Sequence, residues 1–366
     1  MSIVSSGVPT RSVLQPGSGP VPGRHYLPSR PDQALWGWLP NALTAPVLEV
    51  DSGDTVTIDT VSHEGILEDQ GRDPVRYLAE FGVRESEVLT DAVEMAENGP
   101  AHEIDDGPHV VTGPIAVSQA RAGDVLRIDV VDLVQRAPYG FISMRHGFGA
   151  LPGEYPPEDA TVSYFCETHG ANGHARGCIA LGNRRLEFPL SPFLGVMGVA
   201  PDTSDAVPSV PPGDHGGNMD IKHAVVGSTI FLPVQVDGAL FYVGDPHFAQ
   251  GNGEVALTAL EAPLRATLRL SVLAGNARTQ AIGPLRTPVI ETASHWIPTG
   301  MDVDLNEAMR KAVRNAIAFL SQRFEIPETA AMAYLSAAAD FEVSQVVDAV
   351  KGVHCMIAKA DFAAWV

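Results

Sequence analysis

Hydrophobic and polar residues alternate with a period of two in several stretches of this chain, the pattern of half-buried β-strands. The first stretch, residues 47–59, contains two alternating runs around the turn formers Ser52 and Gly53. Further strands are predicted at residues 108–135, 184–188, 193–199, 229–235, 239–243 and 254–273. This succession of strands predicts a β-rich body.

Two of these strands, 229–235 and 239–243, are separated by Asp237-Gly238, a dipeptide typical of two-residue hairpin turns. We therefore predict that they pair as a β-hairpin. The polar segments before and after this hairpin would then open at the same end of it.

The period changes to that of an amphipathic helix near the C-terminus, at residues 304–324. Asp304, with Glu307 three residues later, resembles a capping box that starts this helix. Pro327 suits the first turn of a second helix, residues 328–338. The sequence therefore predicts a helical hairpin near its end.

The rest of the chain is organised around the predicted strands. Two short helices are predicted near residues 74–81 and 85–95, whereas residues 141–174 and 201–217 are loop-like. We divide the chain into an N-terminal arm (1–45), a β-rich body (46–300, with a polar insertion at 66–107) and a C-terminal helical hairpin with final strands packed on the body (301–366).

Composition narrows the class of protein. The 366 residues can bury a large core without disulfides. Asp and Glu outnumber Lys and Arg by 44 to 24, which gives a formal net charge of −20 and disfavours binding to nucleic acid or to anionic membranes. Neither a signal peptide nor an apolar run of membrane-spanning length is present, so we expect a cytoplasmic protein.

The three cysteines do not form a metal-binding pattern. Cys166 and Cys178 are spaced too widely for a CxxC zinc site, and with Cys355 the count is odd. We interpret them as buried thiols of a reducing compartment. A nucleophilic Cys166 beside Glu167 and His169 is a weaker alternative, because no cationic surroundings are visible to activate the thiol.

The densest polar segments are P-P-G-D-H-G-G-N-M-D-I-K-H (211–223) and V-G-D-P-H-F-A-Q-G-N-G-E (243–254). Carboxylates and imidazoles suit a divalent metal, either zinc or a harder ion. The predicted hairpin brings together the candidate residues Asp220, His223, Asp245, His247 and Glu254. The alternative is that aspartates beside glycines are turn formers and caps, since no zinc signature such as HExxH is present.

Two further segments carry candidate chemistry. His63 and Glu64 end a predicted strand, where such a pair can serve a metal or proton transfer, although a solvated strand end is the simpler interpretation. His146 and Phe148 lie in a glycine-rich loop that could line a pocket but lacks the spacing of a phosphate-binding loop. His109, taken alone, is interpreted as structural.

The segments G-G-N-M-D-I (216–221), G-S-T-I-F-L-P-V (227–234) and G-A-L-F-Y-V-G-D-P-H-F-A-Q-G-N-G-E (238–254) resemble the acetamidase/formamidase family. The loop at 147–153, the strands at 111–126 and the C-terminal helix pair are also similar to that family. The resemblance runs from about residue 46 to residue 359. One departure is Asn252, where the family pattern leads us to expect an aspartate.

The resemblance implies a mainly β fold of the α+β class, with a sandwich-like β core and a small α/β portion. It also implies hydrolysis of the C–N bond of a small amide, or of a lactam as in some relatives. Family members associate as homo-oligomers, and a divalent metal in the site, zinc or calcium, is consistent with the family.

The hypothesis that follows assigns Asp220, Asp245 and His247 to the metal and Glu254 to acid/base catalysis. His63 and Glu64 are further catalytic candidates. Substrate contacts are assigned to Asn218, Gln250, Phe148 and His146.

Two other classes of protein compete with this hypothesis. A non-catalytic β-sandwich module that binds a structural calcium and a small polar ligand would also use acidic loops beside glycines. A cupin-like metal oxidoreductase is weaker, because the expected spacing of three histidines and a glutamate is not evident.

Overall fold

The computed structural model describes residues 11–170, 175–275, 282 and 285–365. Strands predominate in it: β1 (His25–Leu27), β2 (Ala34–Trp36), β3 (Trp38–Leu39), β4 (Leu48–Val50), β5 (Thr55–Asp59), β6 (Val110–Val117), β7 (Val125–Gln135), β8 (Tyr139–Arg145), β9 (Thr161–His169), β10 (Arg176–Leu181), β11 (Arg184–Pro189), β12 (Phe193–Val199), β13 (Val207–Pro208), β14 (Gly216–Asn218), β15 (Thr229–Pro233), β16 (Phe241–Ala249), β17 (Leu260–Glu261), β18 (Leu264–Leu273), β19 (Val289–Glu291), β20 (His295–Asp302), β21 (Asp340–Gln345) and β22 (Lys351–Ala358). The α-helices in the same residues are α1 (Pro74–Ala79), α2 (Thr90–Asn98), α3 (Leu305–Phe324) and α4 (Glu328–Ala338). The expected mainly β fold is confirmed.

Within the described residues, the strands form two large sheets and a short two-stranded one. The nine-stranded sheet has the order β1-β5-β18-β7-β15-β19-β20-β22-β21. The eleven-stranded sheet has the order β11-β10-β9-β8-β17-β16-β12-β14, and β6 pairs with β16, β2 and β4. Residues from both large sheets share one hydrophobic cluster, which includes Ile58 and Ile128 of the first and Met197 and Phe241 of the second. The core therefore lies between the sheets.

The predicted hairpin at Asp237-Gly238 is wrong. β15 pairs with β7 and β19 in the nine-stranded sheet, whereas β16 pairs with β12, β6 and β17 in the eleven-stranded sheet. Ala239 and Leu240 follow the turn with left-handed φ angles of 61° and 53°, which direct the chain away from β15. Both strands are largely buried, so each needs neighbours on both sides, and the turn carries the chain from one sheet to the other.

The prediction of a loop at 141–174 is also wrong for most of its length. β8 and β9 form an antiparallel pair in which Phe141 lies opposite Phe165. These two rings pack on Phe81, which belongs to the insertion. The glycines and prolines that suggested a loop are concentrated between the two strands. Residues 171–174 lie outside the described part of the chain.

The C-terminal helices agree with the sequence prediction. α3 begins at Leu305, and the carboxylate of Asp304 accepts a hydrogen bond of 2.9 Å from the backbone N–H of Glu307. α4 follows Pro327 and spans the predicted residues. In the insertion, however, the helix predicted at 85–95 is a 3₁₀ turn at Glu85–Glu87 followed by α2.

The described part of the N-terminal arm adds strands to both large sheets. β1 pairs in parallel with β5, and β2 pairs with β6. Trp36 is buried and stacks on His102 of the insertion, with ring centroids 4.3 Å apart. The boundaries assigned to the arm, body and hairpin stay a prediction.

The three cysteines are free and buried. Burial raises the pKa of Cys166 to about 12, which disfavours the thiolate that a nucleophile needs. No helix among the described residues is long and apolar enough to cross a membrane.

Candidate active site

Strand β16 places Asp245 and His247 at the centre of the eleven-stranded sheet. His247 is paired across the sheet with Phe193 on one side and Glu261 on the other. Nε2 of His247 lies 2.9 Å from Oδ2 of Asp245 and 3.0 Å from Oε1 of Glu261. All three residues are buried. Asp245 and His247 thus lie close together, whereas their assignment to a metal stays a prediction.

Three acidic residues of this region adopt left-handed backbone conformations. The φ angles are 49° for Asp220, 48° for Asp245 and 46° for Glu254. This region is unfavourable for residues other than glycine, and such strain of about 1–3 kcal/mol per residue is concentrated at functional sites. The backbone at all three positions is therefore held in place by the surrounding fold.

Two groups of candidate metal ligands meet at His247. Asp220, His247 and Glu254 form one group, in which one ligand atom of each lies within 4.8 Å of the others. His63, Asp245 and Glu261 form the second group by the same measure. We call these six residues the central cluster. Its members come from five separate parts of the chain, and all are buried.

Two imidazole rings approach the same oxygen of the central cluster. Nδ1 of His63 and Nε2 of His109 each lie 3.8 Å from Oδ1 of Asp245. The other nitrogen of His109 forms a hydrogen bond of 3.0 Å with Ser209. Burial lowers the pKa of His109 to about 4, so this ring is neutral at physiological pH.

Gly195 of β12 forms the floor of the central cluster. A Cβ atom at this position would overlap with carboxylate oxygens of Asp220 and Asp245 and would lie 2.8 Å from Cε1 of His247. Only glycine leaves room for these three groups to converge. The space in front of it is therefore enclosed by two carboxylates and an imidazole.

Several buried atoms of the central cluster have no hydrogen-bond partner. They are Oδ1 of Asp220, Nδ1 of His247 and Oε2 of Glu261. Unpaired buried polar atoms are rare and costly, and so many in one place indicate a partner outside the chain. Carboxylate oxygens and imidazole nitrogens are the donors that zinc-type divalent cations prefer. The residues therefore fit a divalent metal.

The electrostatics of the central cluster support the same fit. Burial and the charge of Asp245 raise the pKa of Asp220 to about 7. Burial, followed by the charge of Asp220, raises the pKa of Glu254 well above its usual value. Burial also raises the pKa of Glu261. The carboxylates repel one another in a medium of low dielectric constant, and a cation would relieve this repulsion.

Glu64 lies beside this cluster. Its Oε1 is 3.6 Å from Nε2 of His63, and its Oε2 accepts a hydrogen bond of 2.6 Å from Gln70. Burial opposes ionisation of Glu64, but the contact with His63, the charge of that ring and the charge of Arg145 together outweigh it and lower the pKa to about 2. Glu64 is therefore a carboxylate that orients His63 toward Asp245.

The four residues assigned to the substrate differ in their surroundings. Asn218 is buried, and its Oδ1 has no partner. The side chain of Gln250 donates to the carbonyl of Asp220 at 2.9 Å, so it holds that residue in place. Nδ1 of His146 lies 2.9 Å from the carbonyl of Pro156, and Phe148 is 57% exposed. Their role in substrate binding stays a prediction.

Sequence reasoning did not identify Glu261 or Asp348 and left His109 as structural. Glu261 interrupts an apolar run, which was the only local signal. Asp348 is buried next to Asp220, and burial, followed by the charge of Asp220, raises its pKa well above the usual value. His223, predicted to join Asp245 and Glu254, lies instead with Glu342 and His354.

The chain is similar to known proteins over most of its length. The profile of the acetamidase/formamidase family matches residues 101–206 and 203–360. The formamidase of Methylophilus methylotrophus is 24% identical over 320 residues, which cover 70% of this chain and 78% of that protein. The acetamidase of Mycolicibacterium smegmatis is 28% identical over 300 residues, 63% of this chain and 74% of that protein.

Solved structures agree with the sequence comparison. The crystal structure of an acetamidase from Bacillus halodurans has a TM-score of 0.72 and 25% identity and covers 93% of this chain and 99% of that one. A γ-lactamase from Delftia acidovorans shares the fold at a TM-score of 0.54 and 21% identity, over 91% of this chain and 92% of that one.

These relatives define the class of protein: a hydrolase that acts on carbon–nitrogen bonds other than peptide bonds. Because the family profile matches more than half of the residues, the chain belongs to the acetamidase/formamidase family. The resemblance found in the sequence is confirmed.

Proposed function

We propose that this protein hydrolyses a short amide to a carboxylate and ammonia at the central cluster. The observation that carries the proposal is the convergence of two buried carboxylate–imidazole groups on His247, above a glycine that leaves the space free. The formamidase and acetamidase relatives support the reaction type.

A small cavity beside the central cluster supports a short substrate. It has a volume of about 40 Å³ and is lined mostly by apolar residues such as Val61, Leu78 and Phe141, together with Ser62, Glu64 and Glu261. This is room for about three water molecules, and the smallest linear amides have three or four heavy atoms. A formamide- or acetamide-like substrate therefore fits better than a large one.

The residues proposed to hold a divalent metal, most simply zinc, are Asp220, Asp245 and His247, and Glu261 would orient the imidazole of His247, from which it lies 3.0 Å. Such a cation supplies Lewis acidity, which lowers the pKa of water and polarises a carbonyl group. Gly195 gives the ligands their space, and Gln250 fixes the backbone of Asp220.

Glu254 is proposed to transfer the proton. Hydrolysis adds the oxygen of water to the carbonyl carbon and breaks the C–N bond, so one proton must move from water to the departing nitrogen. The carboxylate of Glu254 faces Asp220 and His247 and is buried, which protects this transfer from bulk solvent. It accepts the proton from water and delivers it to nitrogen.

His63 is the proposed donor to the carbonyl oxygen, with Glu64 as its positioning residue. The backbone N–H groups of Gly216 and Gly253 are not free to bind this oxygen. The backbone N–H of Gly216 already donates to Gly213, and that of Gly253 donates to Val343. A side-chain donor is therefore needed to stabilise the oxyanion.

Ammonia release from a series of amides tests the proposal. Formamide, acetamide and longer linear primary amides are supplied to the wild-type protein, to Asp245→Asn and to Glu154→Gln, a control at an exposed glutamate. We expect turnover of the shortest amides, a loss of at least about 100-fold in Asp245→Asn and none in the control. Equal turnover in all three proteins would refute the assignment of the site.

A further inference from the structure

A second cluster of metal-ligand side chains lies outside the central cluster. His223, Glu342 and His354 each offer one ligand atom within 4.8 Å of the others, and we call them the His223 cluster. Oε2 of Glu342 is 3.4 Å from Nε2 of His223 and 3.4 Å from Nε2 of His354. The two imidazole rings meet edge to face, with centroids 5.3 Å apart.

His354 is the strongest indication that the cluster binds a ligand. The side chain is fully buried on β22, and its Nε2 has no hydrogen-bond partner although it points at Glu342. Its Nδ1 is 2.7 Å from the hydroxyl of Ser344. A proton on Nδ1 donated to Ser344 leaves a lone pair on Nε2, the arrangement by which outer hydrogen bonds prepare histidine ligands for a metal.

The distances in the His223 cluster match the spacing of ligands around a zinc-type ion and are long for hydrogen bonds, although His223 and Glu342 are within hydrogen-bond reach. Hydrogen bonds between nitrogen and oxygen usually span about 2.7–3.2 Å, which is shorter than the 3.4 Å found for both pairs. Ligands about 2.0–2.1 Å from a tetrahedral zinc ion lie about 3.4 Å from one another. The donor set of two imidazoles and one carboxylate is also that of known zinc sites.

Asn252 orients the carboxylate of this cluster. Its Nδ2 donates a hydrogen bond of 2.8 Å to Oε2 of Glu342. An aspartate at this position would bring a negative charge to the same oxygen instead of a donor. Lys222 lies 4.0 Å from that oxygen and is the nearest cationic side chain described for it. Asn252 therefore holds the carboxylate of Glu342 without adding a negative charge to the cluster.

The His223 cluster is connected to the loop that carries Glu254. The backbone N–H of Gly253 donates to the carbonyls of Val343 and Ser344 on β21. The side chain of Gln250 bridges the carbonyls of Ser344 and Asp220. An ion bound by the cluster would tie β21, β22 and the segment after Asp220 together beside this loop.

We propose that the His223 cluster is a second divalent-cation site of the zinc type, which fastens β21 and β22 to the segment that carries Asp220. This site does not depend on the proposed amidase mechanism. If the site exists, the full chain binds one more equivalent of Zn²⁺ than the central cluster alone accounts for.

Metal content tests the proposal. The full-length protein is stripped with a chelator, reloaded with Zn²⁺, separated from free ion by gel filtration and measured by mass spectrometry. His223→Gln and Glu342→Gln are expected each to lose one equivalent relative to wild type. His247→Gln should lose zinc from the central cluster but keep this equivalent, so the two sites are distinguished.

His169→Gln is the matched control, because His169 lies 3.7 Å from Glu187 at the surface without a third ligand in the described residues. It should bind as much zinc as wild type. Circular dichroism establishes that each variant is folded, and His223 is the preferred position because it is only partly buried. The proposal is overturned if folded His223→Gln and Glu342→Gln both bind as much zinc as wild type.

Discussion

Gly195 lies directly beneath Asp245, so that a Cβ atom on the glycine would overlap with a carboxylate oxygen of the aspartate. The same atom would also overlap with Asp220. The absence of a side chain at residue 195 is therefore a condition for the central cluster to exist, although a glycine inside a strand ordinarily weakens it.

Gly195→Ala should remove metal binding and amidase activity together. The methyl group displaces both carboxylates, because the backbone of β12 is fully buried and cannot withdraw. Zinc content and ammonia release are the measurements. Gly153→Ala is the control, since a Cβ at that exposed glycine meets no atom within 4 Å. A folded Gly195→Ala with wild-type zinc content would contradict the geometry.

Glu261→Gln tests a residue that the sequence did not reveal. Its Oε1 lies 3.0 Å from His247, and it accepts a hydrogen bond of 3.0 Å from the backbone N–H of Ala259. We expect zinc affinity of the central cluster to fall about 10–100-fold, the usual effect of removing a residue that orients a metal ligand. Competition with a chromogenic chelator gives this number. Unchanged affinity would exclude Glu261 from the site.

The stability of the protein should depend on pH through Glu87, a residue far from the central cluster. Its carboxylate is bonded to Arg84 and accepts a hydrogen bond of 2.7 Å from the backbone N–H of Arg11. The bond with Arg84, set against burial, lowers the pKa of Glu87 from 4.5 to about 2. A carboxyl group whose pKa is depressed by folding stabilises the protein above its unfolded pKa and ceases to do so as the pH falls.

The difference in the free energy of unfolding between wild type and Glu87→Gln should therefore be full at neutral pH. It should shrink as the pH falls from 4.5 through about 2. Urea unfolding at neutral pH and at about pH 3 measures it. Glu85→Gln, on the same 3₁₀ turn but exposed, is the control. A difference that stays constant or grows on acidification would contradict this linkage.

Local signals in the sequence predicted the C-terminal helices well, because the residue that starts each helix can be recognised in the sequence next to it. Asp304 caps α3, and Pro327 precedes α4. The prediction of a hairpin was wrong because Asp237-Gly238 favours a turn but does not determine whether the strands on either side of it pair with each other. Which sheet each strand joins is decided by its partners, such as β7 for β15 and β12 for β16.

The candidate site likewise contains residues that local sequence signals could identify and residues that only the pairing of strands brings in. Asp220, Asp245, His247 and Glu254 stand in two polar segments whose composition attracted attention, and they do converge. Glu261 could not be assigned because it is a single polar residue in an apolar run, and His109 could not be assigned because no motif surrounds it. They reach Asp245 or His247 only through the pairing of β17 and β6 with β16.

The most direct test of the central claim is ammonia release by Glu254→Gln, measured on the shortest amide that the wild-type protein hydrolyses. Glutamine keeps the shape of the side chain but cannot transfer the proton. We predict a fall in kcat of about 10²–10⁴-fold with zinc content and thermal stability retained. Wild-type kcat in a Glu254→Gln protein that retains its zinc and its stability would contradict the proposed mechanism.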